Sequence, residues 1–392
     1  MAMMMKLLPL VFLLLAACSD GTIPRYAGPS GEGRLVYEPG VGITRAGSDL
    51  SSDEQALFAA IQAAYDERRY EAVIGQSTPF IEKYPDGSRA VEVLLMRIRS
   101  RLEFGRSPDL EDGLPKTIPL DQWMFLYLAP AYDVRLQNLL NRDATWRDYI
   151  SELRDLPIDE FFNRLRPDAN ALYDSGQLSL ARADCTVLVT YYLPALELRE
   201  FRRQASELTR DVAWLLYGAG AADEVIAVTN DLGTMNPEPA VKGDALFIQA
   251  HAQRLNGAHA PAANTFGYLF SGAGLRDTDT RWRPYALMWQ IRETMQYSKG
   301  EGYDLVPYEI ALELLGEYEL YAIENPNIPS TVHEEFALLL EDVYNVMIKR
   351  DLNAADTYSR LGEGEAAAYY VARAEEWRAE RDKRASDLRG FQ

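Results

Sequence analysis

The sequence predicts an all-α fold, an α-solenoid of antiparallel helix pairs. Three observations predict it. Apolar residues recur at the 3.6-residue helical period in one segment after another. Short turns bearing Gly or Pro sort these segments into pairs. Strand signals are nearly absent beyond residue 50. Recurring pairs at this spacing mark a solenoid, in which each pair buries its apolar face on the next.

The chain opens differently. Lys6 precedes an apolar run from Leu7 to Ala17, and Ser19, Asp20 and Gly21 follow it. A charged start, an apolar stretch of this length and small residues before a cut make a secretory signal peptide. The run is shorter than the roughly 20 residues a permanent membrane helix needs. Leu15-Ala16-Ala17-Cys18 places a cysteine just after the cut, as in a lipoprotein signal, where the thiol is acylated. Residues 1–17 are thus read as a signal peptide and Cys18 as the lipidation site. Several acyl chains hold a protein to a membrane far more firmly than one. Ser19, rather than Asp, at the second mature position resembles the pattern sent on to the outer membrane. Residues 18–50 carry seven glycines and three prolines without a helical period and are read as an acylated N-terminus and flexible tether. Val36 and Tyr37 are its one strand signal.

Helices begin at residue 51. Ser51-Ser52-Asp53-Glu54 fits a capping box, and Leu57, Ile61, Ala64 and Tyr65 follow at helical spacing. A second helix points Tyr70, Val73, Ile74, Ser77, Phe80 and Ile81 inward, with Pro79 expected to kink it. Tyr84-Pro85-Asp86-Gly87 ends it. A third places Val91, Leu94, Leu95, Ile98 and Leu102 on one face. Residues 105–119 read as a loop. Further pairs follow at 209–217 with 222–232, 241–255 with 260–270, and 308–324 with 335–349. The last pair is 352–361 with 365–381, turning at Gly362-Glu363-Gly364. Residues 271–280 and 298–304 read as loops, and the charged stretch 378–389 as a fraying end. Helical repeats thus divide into an N-terminal and middle array, 51–270, and a C-terminal array, 271–392.

Composition bounds the partners. The chain has 392 residues and a formal charge of −19, so neither nucleic acid nor an anionic lipid surface would attract it. Of its two cysteines one is read as acylated, leaving Cys185 no second cysteine for a disulfide; its apolar surroundings make it a small buried hydrophobe. Stability therefore comes from packing rather than disulfides.

The pairs resemble tetratricopeptide repeats. In residues 358–369 an aromatic, Tyr358, ends one helix, Gly362 and Gly364 turn, and Ala366-Ala367-Ala368 open the next, where the helices are expected to cross closely. Tyr70-Glu71-Ala72-Val73-Ile74 with Tyr84-Pro85 is a second copy, carrying Val73 where alanine is usual. A lipidation signal, a tether and then such repeats resemble the BamD-type outer-membrane assembly lipoproteins. The likeness covers residues 51–104 and about 303–380. It implies a role in outer-membrane β-barrel assembly, docking on the barrel insertase and receiving unfolded barrel proteins. The alternative is a lipoprotein scaffold serving cell-wall synthesis, division or secretion.

No catalytic constellation emerges, so no enzyme activity and no cofactor are expected. His251 and His259 share neither a helix turn nor a nearby Cys or Asp, against a metal site. Gly-rich phosphate loops, nucleophile elbows and CxxC motifs are missing. Glu375, Glu376 and Glu380 read as a solvated helix face. The aromatic tract 123–128 and the pair Tyr191-Tyr192 read as core, or as the lining of a peptide-binding groove. Arg97/Arg99/Arg101 and Arg199/Arg202/Arg203 read as solvated faces, or as contacts for a partner's carboxylates. The residues that bind a partner are not identifiable from sequence.

Overall fold

The computed structural model describes residues 35–38, 42–45, 52–87, 89–104, 169–192, 199–272, 282–296, 298, 305–326, 328 and 330–391. These residues are helical apart from one hairpin, in which β1 (Leu35–Glu38) pairs antiparallel with β2 (Gly42–Arg45), Val36 opposite Thr44. The hairpin lies inside the segment read as a coil. The strand signal at Val36-Tyr37 is local and correct, and Ile43-Thr44 supplies the β-branched partner that a tally of glycines obscures. Residues 105–119 and the tract 123–128 fall outside the described residues.

The chain forms two compact units. Unit 1 comprises residues 1–104 and 183–201; unit 2 comprises 105–182 and 202–392. Unit 1 contains α1 (Ser52–Asp66), α2 (Tyr70–Lys83) and α3 (Ala90–Leu102), with the second half of α5 (Gln177–Tyr192). In α1 the inward residues are Glu54, Ile61 and Ala64, whereas Leu57, expected to be buried, is exposed. The Glu54 carboxylate lies against Gly87, where a Cβ would come within 2.4 Å of it and 3.0 Å of the Tyr84 carbonyl, so a side chain there would make the carboxylate shift. Along α2, Val73, Ser77, Phe80 and Ile81 are buried, Ile74 partly so, and the helix runs past Pro79 to Lys83. α3 is buried on nearly every side, a central helix rather than an amphipathic one.

Unit 2 contains α4 (Ala169–Asp174), α6 (Arg199–Gly218) from Arg202 onward, α7 (Ala222–Thr234), α8 (Pro239–Leu255), α9 (His259–Phe270), α10 (Arg283–Gln296), α11 (Val306–Glu324), α12 (Ser330–Arg360) and α13 (Gly364–Arg389). From α7 to α13 each helix packs on the next in sequence. Trp214, Trp282, Phe247, Phe266, Tyr318 and Tyr344 are fully buried and make its core.

One turn geometry recurs four times, each time with the same pair of backbone hydrogen bonds closing the helix. After α1, α6, α8 and α12, the N–H of Arg69, Ala221, Ala258 and Glu363 reaches the carbonyl five residues back, and the preceding N–H reaches the carbonyl three back. That preceding residue has positive φ: Arg68 56°, Gly220 75°, Gly257 69°, Gly362 79°. This is the Schellman cap, which satisfies orphan carbonyls and favours glycine. The next residue opens the following helix with nearly constant dihedrals, φ from −82° to −86° and ψ from 62° to 69°. Three of the four turns carry the expected glycine; the first sets Arg68 in the left-handed region instead.

The C-terminal helices depart from expectation in three ways. α10 fills a stretch for which no helix was expected. α12 runs 31 residues without interruption, through the break expected between Lys349 and Leu352. Arg350-Asp351 is polar but holds neither Gly nor Pro, and Asp351 is buried. Finally α13 does not fray at 378–389. Arg384 pairs with Glu319 at 2.7 Å, Arg389 reaches Glu334 and Glu341 at 2.9 Å each, and Ala385 and Leu388 are buried beneath.

Candidate interaction surface

The buried charges come first, because they show which of the sequence candidates are committed to the fold. In unit 1, Asp184 on α5 accepts from both Arg97 (Nε 3.0 Å, Nη2 2.6 Å) and Arg101 (Nε 3.0 Å). All three side chains are less than a tenth exposed. These two arginines are neither a solvated face nor a partner contact, since their charge is used internally. Their i,i+4 spacing on α3 lets both reach one carboxylate. Arg99, pointing the other way, is met by the Tyr65 hydroxyl at 3.0 Å. Tyr192 is core as well; it is buried and its hydroxyl donates to the Pro85 carbonyl at 2.6 Å. Cys185 is buried, and Arg199 and Arg203 are exposed.

In unit 2, α8 presents Asp244, Phe247, His251 and Arg254 along one face. Asp244 is fully buried, accepts from Trp282 Nε1 at 2.8 Å and lies 3.6 Å from Arg210. Phe247 stacks on Trp282 at 4.1 Å. Arg254 covers one Trp289 contact at 4.4 Å and Arg292 another at 5.0 Å, so two guanidiniums approach one indole. Glu293, buried, receives His259 Nδ1 at 2.7 Å. His251 and His259 are thus on adjacent helices yet have different partners, and among the described residues no three His, Cys, Asp or Glu side chains converge as metal ligands would.

Among the described residues, most of the exposed large apolar side chains lie on the last three helices and the turn between α12 and α13. Leu320 and Ile323 at the end of α11 are each 65% exposed, and Leu338 on α12 is half exposed. Around the α12–α13 turn, Leu361, Tyr369 and Val371 are exposed, and Tyr358 stacks on Tyr370 at 5.4 Å. Exposed Glu317 and Glu324 flank the apolar end of α11, and Glu309 and Glu313 are exposed toward its start. Such a face can accept an apolar partner surface. Glu375, Glu376 and Glu380 are solvent-exposed, as read from sequence.

The tight helix crossing expected at Ala366-Ala367-Ala368 lies elsewhere. Ala366 and Ala367 are half-buried and Ala368 is exposed. The buried alanines of these two helices are Ala337 and Ala355 on α12 and Ala374 and Ala385 on α13. Between them Asp351, 1% exposed, accepts two bonds from Arg373 and one from Trp377 Nε1 at 3.1 Å, and its hydrogen bonds hold the Arg373 guanidinium firmly protonated. Nothing in the sequence pattern singled out Asp351; its signal was an acidic residue in an otherwise unbroken helical stretch.

Cys18 and the apolar run before it lie outside the described residues. Among the described residues no helix is long and apolar enough to cross a membrane. No protein-family profile and no curated protein matches the chain.

Proposed function

We propose that this chain is a lipid-anchored scaffold of the periplasm, tethered to the outer membrane through Cys18 and built as a tetratricopeptide-like α-solenoid. Its work is to hold proteins, as part of the machinery that assembles β-barrels in the outer membrane. It docks on the barrel insertase and receives unfolded barrel proteins, without catalysis of its own. The observation that carries the repeat reading is the turn used four times with one backbone geometry. Gly220 and Gly257, 37 positions apart, are spaced much as successive repeats of that kind are. Packing of each helix on its neighbour in sequence supports the same reading. The exposed apolar residues on α11–α13 supply a surface for a protein partner. The membrane anchor rests on Leu15-Ala16-Ala17-Cys18 and the run before it.

Two measurements test this. Labelled palmitate should enter the wild-type protein and not Cys18→Ala, which should be uncleaved or soluble; label that survives the substitution removes the anchor. Depleting the protein should lower the level of outer-membrane barrel proteins, and the insertase should co-purify with the full chain. Normal barrel levels alongside cell-wall or division defects would instead assign the scaffold to that other machinery.

A further inference from the structure

The chain has three histidines, all in unit 2, and each has a different environment. His259 Nδ1 is 2.7 Å from the Glu293 carboxylate. His333 Nδ1 is 2.8 Å from the Tyr318 hydroxyl. His251 is completely buried, and neither of its ring nitrogens has a hydrogen-bond partner. Four aromatic rings enclose it: Phe247 at 4.6 Å, Trp289 at 5.0 Å, Phe266 at 5.1 Å and Tyr217 at 6.0 Å between ring centres.

Several charged groups of the surrounding helices have other partners. On its own helix, Arg254 opposes a second positive charge, and Asp244 is bonded to Trp282 beside Arg210. α6 contributes Tyr217 and Trp214 to the core, with Arg210 paired to Asp211. α7 contributes Asp223, bonded to Asn256, and Glu224, bonded to Ser179 and near Arg182. From α9 come Phe266 and the already paired His259. From α10 come Glu293, shared by His259 and Arg254, and Arg292, paired with Glu335.

We propose that His251 makes unit 2 acid-responsive: a proton on this imidazole has no acceptor in the cage, so mild acid loosens the packing of α6, α8, α9 and α10. Burial and the Arg254 charge hold the folded imidazole neutral well below its ordinary range. The unfolded or opened chain takes up a proton below about pH 6.5. Stability is therefore complete above that pH and is lost progressively as pH falls toward the lowered folded value. The inference depends on the core of unit 2 and not on the scaffold reading.

Hydrogen exchange of the mature full chain in detergent, corrected for the intrinsic pH dependence of exchange, tests it. Between pH 7 and pH 5.5, α8 amides should open about eightfold more often, the factor set by an opened-state pKa of about 6.5. In His251→Phe, whose ring suits the aromatic cage, that increase should vanish. An increase of equal size in the variant, or no increase in the wild type, overturns the proposal. Should the variant not fold, the proton resonances of the His251 ring decide, assigned in a His259→Gln, His333→Gln chain. A ring that stays neutral in the folded protein at pH 5.5 supports it; a ring that titrates near pH 6.5 with the fold intact overturns it.

Discussion

Asp351 shows how one side chain decides a boundary that the sequence pattern misplaces. An acidic residue in a long helix reads as a break, since Asp is a modest helix former and is common in turns. Here it is buried, and Arg373 and Trp377 of the facing helix complete its hydrogen bonds. Asp351→Ala leaves the Arg373 guanidinium without its carboxylate. Arg373 keeps partial access to water, so the loss should be nearer 2 kcal/mol than the 3–5 kcal/mol of a fully enclosed pair. Urea unfolding measures it, and a loss below about 0.5 kcal/mol would mark the bond as incidental. Asp184 follows the same logic in unit 1. In both places charge that looks like surface in the sequence is an internal cross-link, between successive helices at Asp351 and between helices more than 80 residues apart at Asp184. Sequence alone reports charge at a position; which face that charge occupies depends on neighbours many residues away.

At the scale of elements, the recurring turn is the feature most open to test. A Cβ placed on Gly220, Gly257 or Gly362 meets no atom within 4 Å. Any loss on substitution is therefore conformational, the penalty of holding an L-residue at positive φ. Gly257→Ala should lower stability by about 1 kcal/mol, read by thermal or urea unfolding, and a stabilised variant would contradict the turn geometry. Packing gives a second prediction. Ala374→Trp, at a fully buried crossing, should destabilise by about 1–3 kcal/mol, whereas Ala368→Trp, on the surface, should stay within about 0.5 kcal/mol. The helix pairs on either side of Gly220, Gly257 and Gly362 were legible because glycine punctuates an otherwise continuous period. α10 was not, since Arg283-Pro284 at its start carries no apolar signal and the preceding Gly-rich stretch suggested an extended loop. The extension of α13 was missed for another reason. Its charges looked like fraying when read without Glu319, Glu334 and Glu341, the acids that meet them from other helices.

For the whole molecule, the predominance of helix was legible in the sequence and the exposed apolar residues of the last three helices were not. Periodicity and turns suffice for helix content, but the exposure of Leu320, Ile323 and Leu361 depends on which flank of each helix its neighbours leave open. Far-ultraviolet circular dichroism of the signal-deleted Cys18→Ala chain should be dominated by helix; a strand fraction well beyond the single hairpin at residues 35–45 would contradict the architecture. Titration of that chain adds a contrast between two buried imidazoles. Burial also pushes His333 down from its ordinary range, but its Tyr318 hydroxyl remains a partner in either protonation state, so His333 should contribute less to acid sensitivity than His251.

The long hairpin of α12 and α13 is pinned unevenly. From Leu352 to Arg373 only Ala355 is buried, and contact there rests on Ala355 and on the stacked tyrosines, Tyr358 and Tyr370. Inward of Asp351 both helices are locked by Tyr344, Arg384, Arg389 and Leu388. Asp351 thus works as a fulcrum: the far half of the hairpin can bend or peel apart at small expense while the near half keeps its register. A body that grips Leu361 and Tyr369 would feel a compliant finger on a stiff base, and its grip would take up motion before that motion reached the core.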